Sequence, residues 1–264
     1  MIKMKIGITG GSGLLGKILI KIFKKKKLKI SCYKKDIRNI KDIKKWLKKN
    51  KDINIVIHLA AIVPLDKVDK DKKKSIDVNL NGTKNLYHSI SEQNRKIWFF
   101  FASTSHVYKP KNSLLTEKDK TLPSTFYGKT KLMAENFLLK NKNKKITICI
   151  GRIFNIFHKN QKIPFFYPSM IAKYKKNKNI NDKELNLRTG NSIRDFTNAE
   201  KIAEIIFKLS KKKVGGIFNI GSGKKLTLLK FIRKHINNKV EIKGMSKGDM
   251  IVANINKIKK LSKI

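Results

Sequence analysis

The stretch TFYGKTKL places Tyr127 and Lys131 four residues apart. On a helix that spacing brings both side chains to one face, where an ammonium lies close enough to a phenol to favour its phenolate. An unperturbed tyrosine, with a pKa of ~10, is a poor base at neutral pH. Drawn toward the working pH, Tyr127 becomes an acid or base for a carbinol and carbonyl pair. The same two residues also meet by accident on solvated helices, so the pair gains meaning only from its surroundings. A second stretch, FFFASTSHVY (99–108), opens as an apolar run suited to the middle of a sheet and ends in Thr104, Ser105 and His106. A buried strand that finishes in hydroxyls and an imidazole fits an open α/β sheet, whose ligands bind outside the carboxyl ends of the strands.

Positioning these groups requires a sheet and flanking helices, and the chain supplies both patterns. MKIGIT (4–9), LKISCY (28–33), INIVIHLA (53–60), KIWFFFA (96–102) and KITICIG (145–151) have strand length and β-branched or aromatic content. Between them, GLLGKILIKIFKKK, DIKKWLKKN, GTKNLYHSISEQ and YGKTKLMAENFLLKN carry apolar residues at helical spacing. Alternating strands and helices predict an α/β fold, a Rossmann-type doubly wound parallel sheet covered on both faces. Beyond about residue 155 the pattern loosens: NIFHKNQKIPFFYPSM reads as a long loop over a pocket. Helices near 168–176, 199–211, 226–237 and 255–262 follow, with short strands near 185–189 and 216–220. The expected organisation is a dinucleotide-binding core over 1–155 and a small C-terminal α/β substrate-binding cap over 156–264, its elements partly interleaved with the core.

ITGGSGLLGK joins the first strand to the first helix. Gly10 permits a tight turn, Gly13 lets the backbone approach a pyrophosphate and Gly16 allows close helix packing, while the helix start offers free N–H groups to an anion. Gly10, Gly13, Leu14, Leu15 and Gly16 therefore form the candidate cofactor cradle. The second strand runs into ISCYKKDIRN, where Tyr33, Lys34 and Lys35 stand at its end and Asp36 follows late. Basic residues here accommodate a ribose phosphate, so NADP(H) is favoured over NAD(H). Asp36 is expected to meet the adenine edge or to cap the next helix.

A net charge of +45 invites a nucleic-acid reading. However, only six of the 63 basic residues are arginines, and the lysines cover almost every polar face. This is solvated surface rather than a gathered binding face, so no specific nucleic-acid partner is expected. Cys32 and Cys149 lie inside apolar runs, which fits a reducing, cytoplasmic setting. No apolar run reaches the ~18 residues of a membrane span, and neither a leader nor a metal site is expected. Helices over 75–95 and 124–141 could pair across a homodimer.

Taken in order, TGGSGLLG, HLAA, VNLNGTKNL, STSHVY, YGKTK, GRIFNIF, NSIRDF and FNIGSG resemble the extended short-chain dehydrogenase/reductase family of NAD(P)-dependent nucleotide-sugar epimerases, dehydratases and reductases. The resemblance implies a triad of Thr104, Tyr127 and Lys131, with Leu59, Ala60 and Ala61 lining the cofactor and Asn79 on the neighbouring helix. It places Phe154 and Asn155 between nicotinamide and sugar, and Arg194 on the nucleotide diphosphate, with an ion pair to Asp195 or Asp182 as the structural alternative. His106 either contacts the sugar and donates a proton or fills the pocket wall. The Asp-Glu pair that dehydratases carry after the Thr is replaced by Ser105 and His106, which disfavours dehydration. Two further departures are Lys247 where epimerases carry an arginine, and Phe157, His158 and Lys159 in place of a YGP turn. The resemblance is strongest to 4-keto-6-deoxysugar-nucleotide reductases. A 4-epimerase with tightly bound NAD is the alternative, and a noncatalytic dinucleotide- or RNA-binding protein a more distant one.

Overall fold

The computed structural model describes residues 5–141, 143–177, 184–187, 189–237, 240–243 and 248–262. Its centre is the sheet that the apolar runs predict. β1 (Lys5–Thr9) leads through α1 (Leu14–Lys25) to β2 (Lys29–Tyr33), and α2 (Ile40–Lys49) returns the chain to β3 (Ile53–His58). The short helices α3 (Leu65–Lys70) and α4 (Lys72–Ile76) run into α5 (Gly82–Ser91), β4 (Ile97–Thr104), α6 (Phe126–Lys140) and β5 (Ile146–Ile153). The cap-side elements are β6 (Asn155–Phe157), α7 (Phe166–Asn177), β7 (Glu184–Asn186), β8 (Ile193–Arg194) and β9 (Phe196–Asn198). They continue with α8 (Ala199–Lys212), β10 (Gly216–Ile220), β11 (Leu226–Thr227), α9 (Leu228–His235), β12 (Glu241–Lys243), β13 (Met250–Ile251) and α10 (Asn256–Ser262).

The main sheet has the order β10-β5-β4-β3-β1-β2 and every pairing in it is parallel. β4 shows why its sequence is apolar throughout. Trp98 and Phe100 enter the core beneath α1 and α8, whereas Phe99 and Phe101 enter the opposite core with residues of α2, α5 and α6. A strand covered on both faces cannot alternate apolar with polar. β10 and α8 come from beyond residue 155, yet β10 completes the sheet beside β5 and α8 packs on α1.

Chain order reverses at β1, which lies between β2 and β3. That reversal opens a crevice at the carboxyl ends of β1 and β3, the place where open α/β sheets bind ligands. The cap builds a three-stranded sheet, β11-β8-β13, and two strand pairs, β12-β7 and β6-β9. The apparent loop over 155–170 is shorter than its sequence indicates, because β6 and the start of α7 occupy both ends. α3 and α4 escape a reading of PLDKVDKDKKKSI, whose lysines and aspartates hide helical periodicity; Asp71 caps α4 by accepting from the Lys74 N–H. No described helix is long and apolar enough to cross a membrane.

Candidate active site

A cleft of about 1470 Å³ runs along the carboxyl edge of the sheet, from the loop after β1 to the start of α7. At one end, Gly10 (φ +71°) is forced by contact, since a Cβ there would lie 2.6 Å from the Ala60 nitrogen. A Cβ on Gly16 would lie 2.4 Å from the Gly10 carbonyl oxygen. Gly13 differs: its φ is −70°, and a Cβ would meet only the Gly10 oxygen, at an ordinary 3.4 Å. Nothing in the protein requires glycine there, so the missing side chain serves what approaches from the cleft. No side chain caps α1 and its first turn carries no acid, which leaves backbone N–H groups for an anion. These features fit a dinucleotide pyrophosphate.

Lys34, Asp36, Leu59, Ala60 and Ala61 line the same cleft, with Leu14 and Leu15 beside the cradle. The Asp36 carboxylate is gripped by the Arg38 guanidinium at 2.6–3.1 Å, and this bond holds its pKa below the ordinary value. Asp36 does not cap α2; Asn39 does, by accepting from the Asp42 N–H. The late position of Asp36 leaves it at a turn, where Arg38 is the nearer partner.

Thr104, Tyr127 and Lys131 all line this cleft. Thr104 is the last residue of β4, and its Oγ1 accepts the His106 N–H at 3.2 Å, which turns the chain sharply at the sheet rim. Tyr127 lies in the first turn of α6, capped by Thr125 accepting from the Gly128 N–H at 3.0 Å. Gly128 sets the approach of this helix, because a Cβ on it would lie 2.3 Å from the His106 carbonyl oxygen. The contact holds the first turn of α6 against the end of β4, so that Tyr127 and Thr104 line one cleft.

The electrostatics differ from the expectation of a phenol primed by its neighbouring amine. Burial pushes Tyr127 well above the ordinary tyrosine range, and the influence of the Thr104 hydroxyl offsets only part of this. Lys131 does not contribute to lowering it. Its own ammonium lies 3.9 Å from the centre of the Phe101 ring, and burial draws its pKa down to about 7, with the Glu135 charge opposing. The spacing puts both groups on one face, but removal from water governs both. His106, edge-on to Tyr127 with ring centres 5.8 Å apart, is held neutral by burial and by the Arg194 charge. Phe154 and Asn155 continue the wall.

Asn79 and Arg194 do not line the cleft. Asn79 is fully buried, at a point where the helix widens into a π-type turn over Asp77–Asn81. Its Oδ1 accepts from the Ile62 N–H at 2.8 Å, and its Nδ2 donates to the Ile62 carbonyl and to the Thr130 hydroxyl. Thr130 in turn donates to the Tyr127 carbonyl. Asn79 is thus a brace between the cleft wall and the helix bearing Tyr127, rather than a direct cofactor contact. The Arg194 guanidinium forks the Asp249 carboxylate at 2.8 and 3.0 Å, not Asp195, because β8 pairs with β13 just after Asp249. Asp182 and Lys247 lie outside the described residues. Asp195 is buried against the turn after β10, accepting from the Ser222 and Gly223 N–H groups at 2.8 Å; this contact accounts for NSIRDF and FNIGSG together.

A second brace was not apparent from HLAA. His58 is buried, with Nδ1 2.6 Å from the Thr9 hydroxyl and Nε2 2.9 Å from the Thr83 hydroxyl. Thr83 already donates to the Asn79 carbonyl, so it accepts from His58, which fixes the Nε2–H tautomer and leaves Nδ1 to accept from Thr9. Burial lowers the His58 pKa to about 3 from 6.5. The unfolded chain takes up this proton first as pH falls, so stability is lost between those values, with a slope approaching about 1.4 kcal/mol per pH unit from this residue. Thermal melts from pH 7 to 4 should show that loss, and a folded His58→Asn variant should show a shallower one.

Residues 6–221 match the NAD dependent epimerase/dehydratase family. GDP-6-deoxy-D-talose 4-dehydrogenase of Aggregatibacter actinomycetemcomitans is 29% identical over 80% of this chain and 71% of its own length. The dTDP-4-dehydro-6-deoxyglucose reductase of Escherichia coli is 28% identical over 85% and 78%. Among solved structures, a dTDP-4-dehydrorhamnose reductase from Clostridium acetobutylicum superposes with a TM-score of 0.82 at 25% identity, covering 98% of this chain and 92% of that one. The family match runs from β1 to just past β10 and so takes in the whole sheet and its rim. The chain belongs to the NAD dependent epimerase/dehydratase family, a group of extended short-chain dehydrogenase/reductase enzymes that use a nicotinamide dinucleotide.

Proposed function

We propose that the protein reduces the C4 ketone of a 4-keto-6-deoxysugar nucleotide. The observation that carries this reading is the buried phenol of Tyr127 and the Thr104 hydroxyl at the sheet rim lining one cleft with the glycine cradle. A bound reduced nicotinamide supplies the hydride. The protein's part is to hold the ketone oxygen between Thr104 and Tyr127 and to protonate it as the alkoxide forms. Burial suits Tyr127 to that task, because a phenol with a raised pKa is protonated and ready to donate at neutral pH. An epimerase must begin by removing a proton, which asks for the opposite state. In this reading Lys131 holds the cofactor ribose, and His106, kept neutral, offers a ring N–H or lone pair to the sugar. Arg194 stands near enough to His106 to influence its charge, and we assign it to the nucleotide diphosphate by a swing from Asp249.

NADP(H) is the better fit of the two dinucleotides. A carboxylate able to bond a ribose diol must be free, whereas Asp36 is occupied by Arg38 and Lys34 lines the cleft beside it. The relatives that act on GDP- or dTDP-linked deoxysugars support the substrate class. Incubation with NADPH and a dTDP- or GDP-linked 4-keto-6-deoxyhexose should consume one NADPH per sugar reduced, with a higher kcat/KM for NADPH than for NADH. Interconversion of sugars with no net loss of reduced cofactor would identify a 4-epimerase instead.

A further inference from the structure

The loop between β6 and α7 places a buried, unpaired acceptor among the described residues that line the cleft. Gln161 lines the cleft, and its Oε1 is excluded from solvent with no donor in reach among the described residues. Asn54, Ser89 and Arg95 also hold unpartnered buried atoms, but none of them lines this cleft. A buried acceptor left unpaired is costly, and folded proteins keep few of them.

The turn that presents Gln161 is built rather than loose. Its N–H donates to the His158 carbonyl at 3.0 Å, and the Asn160 N–H donates to His158 Nδ1 at 3.0 Å. With Nδ1 accepting, Nε2 carries the ring proton and donates to Glu200 Oε1 at 2.7 Å, tying the turn to the first turn of α8. His158 is itself buried. The same elements line the cleft mostly with apolar residues, Pro164, Phe165, Phe166, Met170 and Phe196, with Asn155 and Ser169 among them. A carboxamide carried on a fixed turn in a mostly apolar wall selects for a polar group at one place on whatever fills the cleft.

We propose that Gln161 is a specificity-determining residue that reads one hydroxyl of the sugar. A hydroxyl is both donor and acceptor, so it suits an amide whose last torsion is soft and can present either end. The inference rests on the nucleotide-sugar reading above and adds to it the demand for a free hydroxyl beside an apolar surface. Its test compares wild type with Gln161→Leu, using the full chain, NADPH and dTDP- and GDP-linked 4-keto-6-deoxyhexoses, together with analogues deoxygenated at one position each. Gln161→Leu should raise KM about tenfold and lower kcat by less than about threefold, the scale of one lost hydrogen bond. Wild type and variant should bind the analogue lacking the recognised hydroxyl equally. The Tm of Gln161→Leu should hold or rise, because an unpaired buried acceptor is removed, whereas a purely structural amide would show a fall. An unchanged KM for every sugar, or a loss of Tm with kcat and KM both disturbed for all of them, would overturn the proposal. If wild type binds no nucleotide sugar, both readings fall; if wild type binds and Gln161→Leu is unaffected, only this one does.

Discussion

Replacing Tyr127 by Phe should lower kcat by about 10²- to 10⁴-fold, the range that one positioned proton donor supplies. The change removes a single oxygen from a buried ring and leaves the cradle, Lys131 and the sugar wall in place. Dinucleotide affinity, measured by titration of cofactor fluorescence, should therefore stay within a few-fold. The phenol pKa is raised by burial, so wild-type reduction should not weaken toward neutral pH from the acid side through this group. A basic limb belongs to loss of its proton. His106, with its pKa lowered, should add an acid limb only below the ordinary histidine range, and His106→Phe should erase that limb. A Tyr127→Phe enzyme of near-normal kcat would move the proton-donor role to another group.

The largest effect on stability is expected at Glu135. Its carboxylate is fully buried and receives Arg152 Nη2 at 2.7 Å and Nε at 3.1–3.2 Å, with the Ser103 hydroxyl as a further donor. Arg152 also spans the Tyr108 ring at 4.8 Å and donates to the Glu117 carbonyl. Glu135→Ala would strand this guanidinium in the core, a loss of about 3–5 kcal/mol. For a chain near this size the Tm should fall by roughly 2–4 °C for each kcal/mol. Pairing the change with Arg152→Met should recover much of the loss, since an apolar pair avoids the desolvation that the ions endure. Glu135 also opposes the fall of the Lys131 pKa, so its removal should carry that pKa below about 7. A lysine depressed in the folded state takes up less proton than the unfolded chain from there to its ordinary value of about 10.4, so its contribution to stability rises with pH across that window. Differential melts of wild type and Glu135→Ala between pH 6 and 9 would read that slope.

What the sequence disclosed, and what it hid, follows from the range of the interactions involved. Phe99 to Phe101 announced a strand buried on both faces, because apolar character is a property of each residue alone. Gly10, Gly13 and Gly16 announced the tight turn between β1 and α1, because their spacing is local. The brace through Asn79, Ile62 and Thr130 was hidden, since it joins segments that only the fold brings together; a fully committed carboxamide looks the same in a sequence as one aimed at a ligand. The pairing of Arg194 with Asp249 depends on the register of β8 against β13, which two-residue strands do not advertise. Gly128 stood in plain view inside YGKTK, but its reason is the carbonyl of a residue on a different element. The influence of Lys131 on Tyr127 was overstated because spacing reports proximity and says nothing of how deeply a helix face is sealed.

The position of β10 bears on how the chain is made. β5 is an interior strand of the finished sheet, but its outer neighbour is translated some sixty residues later, after α7 and α8. Until then the nascent polypeptide exposes a row of unpaired backbone amides flanked by Ile148 and Ile150, the kind of ledge onto which other chains add themselves. Severing the molecule after residue 155 would make that transient hazard permanent, and the resulting fragment should precipitate rather than bind nucleotide.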